Sequence, residues 1–141
     1  MARETDLEEV YRAVTLLVRR ARDLSNKCHP EVSLVAYTML RYLVTHTDVR
    51  AQDLASHFGL DKSTVSRQVD QLEALGLVTR SPERAGRRGA ELELTPAGQR
   101  TLDENADAVR GHLAERLSGW SDSKVAAFAR SLGDFNLTWD T

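Results

Sequence analysis

One cysteine, three prolines and eight glycines are all that the 141 residues contain of these types. Cys28 alone excludes an intrachain disulfide and any cysteine-rich zinc site, and a single thiol fits a reducing compartment. The four histidines, His29, His46, His57 and His112, lack the close pairing of a ligand motif, so no metal is expected. No apolar run approaches the ~20 residues needed to cross a bilayer. The opening MARETDLEEV is polar and acidic, unlike a secretory signal. A cytoplasmic location is therefore expected. Neither a phosphate-cradling glycine loop nor a nucleophile–base arrangement is visible, so the reading is of a non-enzyme without cofactor. Strong net charge is lacking too: the total is −2. Its distribution is uneven, however. Arg50 to Ala90 holds seven Lys/Arg against five Asp/Glu, while the rest holds twelve against sixteen. A basic middle between acidic ends is the weak outline of a nucleic-acid footprint.

What is present is concentrated in Ala51–Leu77, AQDLASHFGLDKSTVSRQVDQLEALGL. A short helix, about Ala51 to Phe58, is followed by a turn at Phe58-Gly59-Leu60. A second helix is capped by Asp61, which also complements its dipole. Val65, Val69 and Leu72 recur at i, i+4 and i+7 and form an inner face. At ~100° per residue the opposite face carries Ser63, Thr64, Arg67, Asp70 and Gln71, with Ser66 on the flank. This is the pattern of a helix-turn-helix, which lays its second helix in the DNA major groove. Gly76 stops that helix. Leu77–Arg80 and the alternating Glu91–Leu94 read as short strands. The Gly- and Arg-rich loop Ser81–Gly89 joins them into a β-wing.

The flanks are helical. Thr5-Asp6-Leu7-Glu8 reads as a capping box. Leu7, Val10, Val14, Leu17, Ala21 and Leu24 then step 3, 4, 3, 4, 3 along one long helix. Ser25–Pro30 is expected to break it, with Pro30 pushing His29 to extended backbone. Ser33 caps a helix to about His46 whose apolar face is Leu34, Val35, Tyr37, Leu40, Leu43 and Val44. Thr95-Pro96 opens another helix, which ends at Gly119. Ser121 caps the last, where Val125, Phe128, Leu132, Phe135 and Trp139 step 3, 4, 3, 4. The fold class is thus mainly α with a small β-wing: a winged helix-turn-helix lobe over 33–95, flanked by helical regions at 5–26 and 96–140. A winged helix alone needs no such flanks. They are read as a dimerisation region that presents two recognition helices about 34 Å apart. The alternative is a monomer whose terminal helices cover its own core. Tyr11, Tyr37, Trp120 and Trp139, at helical spacing, are read as core rather than as the lining of an effector pocket.

The segment LASHFGLDKSTVSRQVDQLEALGLVTRSPE followed by RRGAELELTPAGQ resembles the MarR family of winged helix-turn-helix transcriptional regulators. The likeness is carried by about Val49 to Gln99, and the flanking helices match in placement. It implies a homodimer binding double-stranded DNA at a palindromic operator, with recognition helices in major grooves and wings in minor grooves. It also implies, for many members, a repressor released by a small-molecule effector.

The DNA-binding candidates follow. Arg67 can donate two hydrogen bonds to a guanine; its alternatives are a phosphate contact or an ion pair with Asp70 or Glu73. Ser63, Thr64 and Ser66 sit where a helix start binds phosphate or base edges. Lys62 is read as a phosphate contact, and Gln71 as a more distant base contact. In the wing the family places Asp-x-Arg, whose arginine enters the minor groove. Arg88 matches that arginine, while Gly86 stands in the aspartate's place, so the brace is missing and Arg84 or Arg87 can share the role. Two other readings stand beside this one. Cys28 is a thiol between Lys27 and His29, so an oxidant-sensing regulator is one. The other is a winged-helix protein-interaction module without DNA binding.

Overall fold

Four of the helix starts are closed by the side chains expected to close them. Ser33 Oγ accepts from Ala36 N at 3.1 Å and Asp61 Oδ1 from Thr64 N at 2.7 Å. Thr95 Oγ1 accepts from Gly98 N at 3.0 Å and Ser121 Oγ from Lys124 N at 3.2 Å. The computed structural model describes residues 1–86 and 89–139, residues 82–86 by their backbone only. The elements run α1 (Ala2–Cys28), α2 (Leu34–Thr45), α3 (Ala51–Phe58), α4 (Lys62–Ala74), β1 (Val78–Gly86), β2 (Gly89–Leu94), α5 (Pro96–Arg116) and α6 (Asp122–Leu137). They form two compact units, Met1–Ala106 and Asp107–Thr141, with α5 running from the first into the second.

In the first unit, α2, α3 and α4 pack on one another and on the β1–β2 hairpin. The core is Ala36, Met39, Leu40 and Leu43 of α2, Leu54 of α3, Val65, Val69 and Leu72 of α4, and Val78 and Leu92 of the strands, with Val32, Val49, Leu77 and Leu102. Gly59 turns between α3 and α4 in the left-handed region (φ 63°), which a side chain would strain. β1 and β2 pair antiparallel, Val78 opposite Leu94 and Arg80 opposite Leu92. Val49 adds a third partner: Leu92 N donates to its carbonyl at 2.8 Å. The segment before α3 is thereby tied to the wing.

The start of α5 is locked to the end of α4. Thr95 Oγ1 donates to Gly76 O at 2.7 Å, and Thr95 N donates to Leu77 O at 3.1 Å. Gly98 is buried against the same carbonyl; a Cβ there would lie 2.3 Å from Leu77 O and 2.6 Å from Leu94 Cδ1. Backbone at that distance cannot step aside. Gly98→Ala is expected to destabilise the fold by about 1–3 kcal/mol despite alanine's better helix propensity, measured as a fall in urea midpoint without a change in slope.

Several expectations need correction. The Thr5 capping box does not form: α1 begins at Ala2, and Thr5 Oγ1 donates to Met1 O at 3.3 Å within the helix. The helix does not break at Ser25 but continues through Cys28, so that cysteine belongs to its last turn and is half-buried. The buried face of α2 is Ala36–Met39–Leu40–Leu43, and Val44 is exposed. β1 reaches Gly86, which pairs with Gly89, the register shifting between Ser81 and Gly86 where a loop was expected. α5 ends at Arg116. Tyr11 and Trp139 are not core: they are 74% and 75% exposed.

In the second unit, α6 has no buried residue. Trp120 meets Phe128 edge-on with ring centroids 5.5 Å apart, and Lys124 Nζ lies 4.1 Å over the Trp120 ring. Phe135 and Trp139 make a second edge-on pair at 6.0 Å. Among the described residues no helix is long and apolar enough to cross a membrane.

Candidate nucleic-acid interface

Helix α4 divides cleanly by burial. Val65, Val69 and Leu72 are almost wholly buried. Lys62, Ser63, Ser66, Arg67 and Gln71 are exposed, and Thr64 is half-buried. The inner stripe fixes the helix's rotation, and that rotation turns Ser63, Thr64, Arg67 and Gln71 outward together, while Lys62 is exposed because it opens the helix. Two contacts fix its position. Ser33 Oγ, besides capping α2, donates to Gln68 Oε1 of α4 at 3.2 Å. Leu77 N donates to Leu72 O at 2.9 Å, turning the chain from the end of α4 into the wing.

The N-terminus of α4 is held by a carboxylate. Asp61 accepts from Thr64 N and, at 2.9 Å, from Ser63 Oγ. These bonds hold its pKa at about 2, the backbone bond from Thr64 contributing most. Because the folded value lies below the unfolded one, the cap's stabilisation is complete above about pH 4. It is lost only as the pH falls towards 2. The cap also commits the Ser63 hydroxyl proton to Asp61, leaving the Ser63 oxygen as an acceptor.

Arg67 donates to Thr64 Oγ1 at 3.4 Å, a long contact, and it does not pair with Asp70 or Glu73. Both carboxylates are taken by Arg80 of β1. Arg80 Nη2 lies 2.7 Å from Asp70 Oδ1, and Nη1 lies 3.1 Å from Glu73 Oε1. The sequence reading assigned Arg80 no role. The signal was there in the alternation: Arg80 lies two residues from buried Val78, hence on the strand face turned to α4.

Arg50 was also missed. Its backbone N donates to Asp53 Oδ2 at 2.7 Å at the start of α3. Its guanidinium, 11% exposed, meets Asp48 at 2.9 Å, and Asp48 takes a left-handed backbone (φ 56°). Behind α3, the Tyr42 ring of α2 stacks on His46 at 3.8 Å and touches His57 at 4.6 Å, joining the two helices. Among the described residues no group of three or more His, Cys, Asp or Glu is placed to hold a metal. In the wing, Arg84 lies on β1 as backbone, while its side chain and residues Arg87 and Arg88 fall outside the described residues.

Comparison with known proteins agrees with this architecture. Residues 31–89 match the model of the MarR family. Over 138 residues the chain is 28% identical to the uncharacterised HTH-type transcriptional regulator YxaD of Bacillus subtilis, covering 96% of each. A MarR family protein from Bacillus stearothermophilus has a similar structure: TM-score 0.76, 24% identity, 97% of this chain and 95% of that one. RV1404 from Mycobacterium tuberculosis is another, with TM-score 0.79, 20% identity and coverage of 99% and 95%. The matched segment contains the helix-turn-helix and the start of the wing, and the fold agrees along nearly the whole length. Residues 31–89 thus match the MarR family, and the fold is that of MarR-family winged helix-turn-helix proteins.

Proposed function

We propose that this regulator works as a homodimeric repressor that binds a palindromic operator through α4 and the wing and is released by a small-molecule effector. The observation that carries the DNA-binding half is α4 itself. Its apolar stripe is buried and its N-terminus is capped; Ser63, Thr64, Arg67 and Gln71 share the opposite face, with Ser66 on the flank and Lys62 exposed at the helix start. That set combines phosphate-binding groups at a helix start with an arginine able to read guanine. Arg84, Arg87 and Arg88 supply the wing's positive charge, suited to a narrow minor groove. A protein with this task works where the DNA is, in the cytoplasm.

The dimer is supported by surface that a monomer leaves bare. α1 is 27 residues long, and Ser25 is its one fully buried residue. Leu7, Val10 and Leu17 of its apolar stripe remain exposed, at 57%, 47% and 46%. In the other unit Phe128, Leu137 and Trp139 of the C-terminal segment are exposed as well. Apolar surface in this amount is where soluble proteins meet partners, and a second copy is the partner that gives a palindrome its symmetry. Release by an effector rests on the family likeness alone.

DNA binding is tested by a salt titration. A dimer contacting about 6–10 phosphates should lose affinity with a log–log slope of roughly −5 to −9. A flat slope would favour the protein-interaction module. Within the interface, Arg67→Ala is expected to relax preference at one position per half-site and to cost ~1–3 kcal/mol there. Affinities for operators substituted one base pair at a time would show it, and a uniform loss across all sequences would mark Arg67 as a phosphate contact.

A further inference from the structure

We infer that Arg80 is a positioning residue for base reading: anchored on Glu73 and holding Asp70, it keeps Arg67 from being captured by its own helix. The inference rests on the reading of α4 as the DNA-reading helix. Arg67 and Asp70 stand three residues apart on α4, a spacing at which opposite charges are neighbours and pair. Here they do not pair. Asp70 Oδ1 is bound by Arg80 Nη2 at 2.7 Å, and the other terminal nitrogen of the same guanidinium reaches Glu73 Oε1 at 3.1 Å. Arg67 is left with the 3.4 Å donation to Thr64 Oγ1, a contact easily exchanged for a base.

The fold delivers Arg80 to this place. β1 starts four residues after α4 ends, and Val78, on the same strand face, is buried. The Arg80 stem therefore runs along the flank of α4. One planar guanidinium spans two carboxylates a turn apart, which a lysine's single ammonium does not reproduce. The pairs are partly exposed, with Asp70 60% and Arg80 34% accessible, and ion pairs in such positions add little to stability. Their consequence lies instead in which acids are available to Arg67, and in how much negative charge α4 brings towards the phosphates.

The test uses the full chain and an operator recovered by selection from random DNA. Affinities for the operator, its single-base variants and unrelated DNA would be measured for wild type, Arg80→Gln, Arg80→Ala and the double variant Arg80→Gln/Asp70→Asn, with thermal midpoints alongside. Arg80→Gln is expected to reduce discrimination about tenfold at the base pair that Arg67 reads, with little change in midpoint. Asp70→Asn in that background should restore it, because the competing carboxylate is gone. Unchanged discrimination in Arg80→Gln overturns the inference, as does a loss that Asp70→Asn fails to repair. A fall in midpoint that accounts for the lost binding would do so too, since it would make Arg80 merely structural. If wild type binds no DNA with steep salt dependence, the reading of α4 itself fails, and this inference with it.

Discussion

Leu72→Ala is expected to remove ~2–5 kcal/mol of stability. Leu72 is 2% exposed and is the last member of the stripe, with Val65 and Val69, that fixes the rotation of α4. Truncation forfeits the transfer energy of the lost carbons and leaves a cavity that the core of α2, α3 and the hairpin cannot fully collapse into. Domains of this size hold a net ~5–15 kcal/mol, so a large part of the total is at stake. The effect should also reach function. Leu72 O accepts from Leu77 N, the bond that turns the chain from α4 into the wing. A looser stripe therefore loosens both proposed DNA contacts together. Urea unfolding would show a lowered midpoint, and DNA affinity should fall even at temperatures where the variant stays folded. An unfolding free energy within about 0.5 kcal/mol of wild type would mean that this stripe does not anchor α4.

Charging the bare face of α1 should have the second large effect. Leu7→Glu combined with Leu17→Glu places two carboxylates on positions that are 57% and 46% exposed in the single chain. The core of the first unit does not include either residue, so the monomer should keep its fold, its helical circular dichroism and its α4. A dimer interface would bury both charges unpaired, at a cost it cannot recover. Sedimentation should show the mass halved. Binding to a two-half-site operator should weaken by about 10²–10⁴-fold as the linked second contact is lost, while the weak affinity for one half-site persists. A variant that sediments as a dimer and binds normally would exclude α1 from the interface.

Much of this architecture was legible because it is local. Ser33, Asp61, Thr95 and Ser121 each cap the helix they precede, since a cap needs only a short polar side chain and an amide three residues on. The outward set on α4 was likewise fixed by a 3.6-residue period and three buried side chains. The errors have equally physical causes. Thr5-Asp6-Leu7-Glu8 has the composition of a capping box, but nothing in Ala2-Arg3-Glu4 stops the helix from starting earlier. Pro30 restricts only the residue before it. His29 is indeed extended (φ −144°, ψ 81°), while Ser25 to Cys28 continue the helix. On α2 two apolar stripes share Leu40 and Leu43, and the one that adds Ala36 and Met39 was chosen by what surrounds the helix, which the period does not reveal. Pro82 and Gly86 read as loop residues, yet β1 tolerates them through a register irregularity at the hairpin's end. The Arg80 fork spans seven and ten residues of sequence, so only the fold brings it to Glu73 and Asp70.

The central claim is that two copies of α4 read DNA as a symmetric pair. Selecting bound fragments from a random DNA pool tests it most directly. The account predicts an inverted repeat with half-site centres about one helical turn apart, enriched for a guanine at the position that Arg67→Ala relaxes. Recovery of unrelated sequences, or of a single half-site without symmetry, would contradict it.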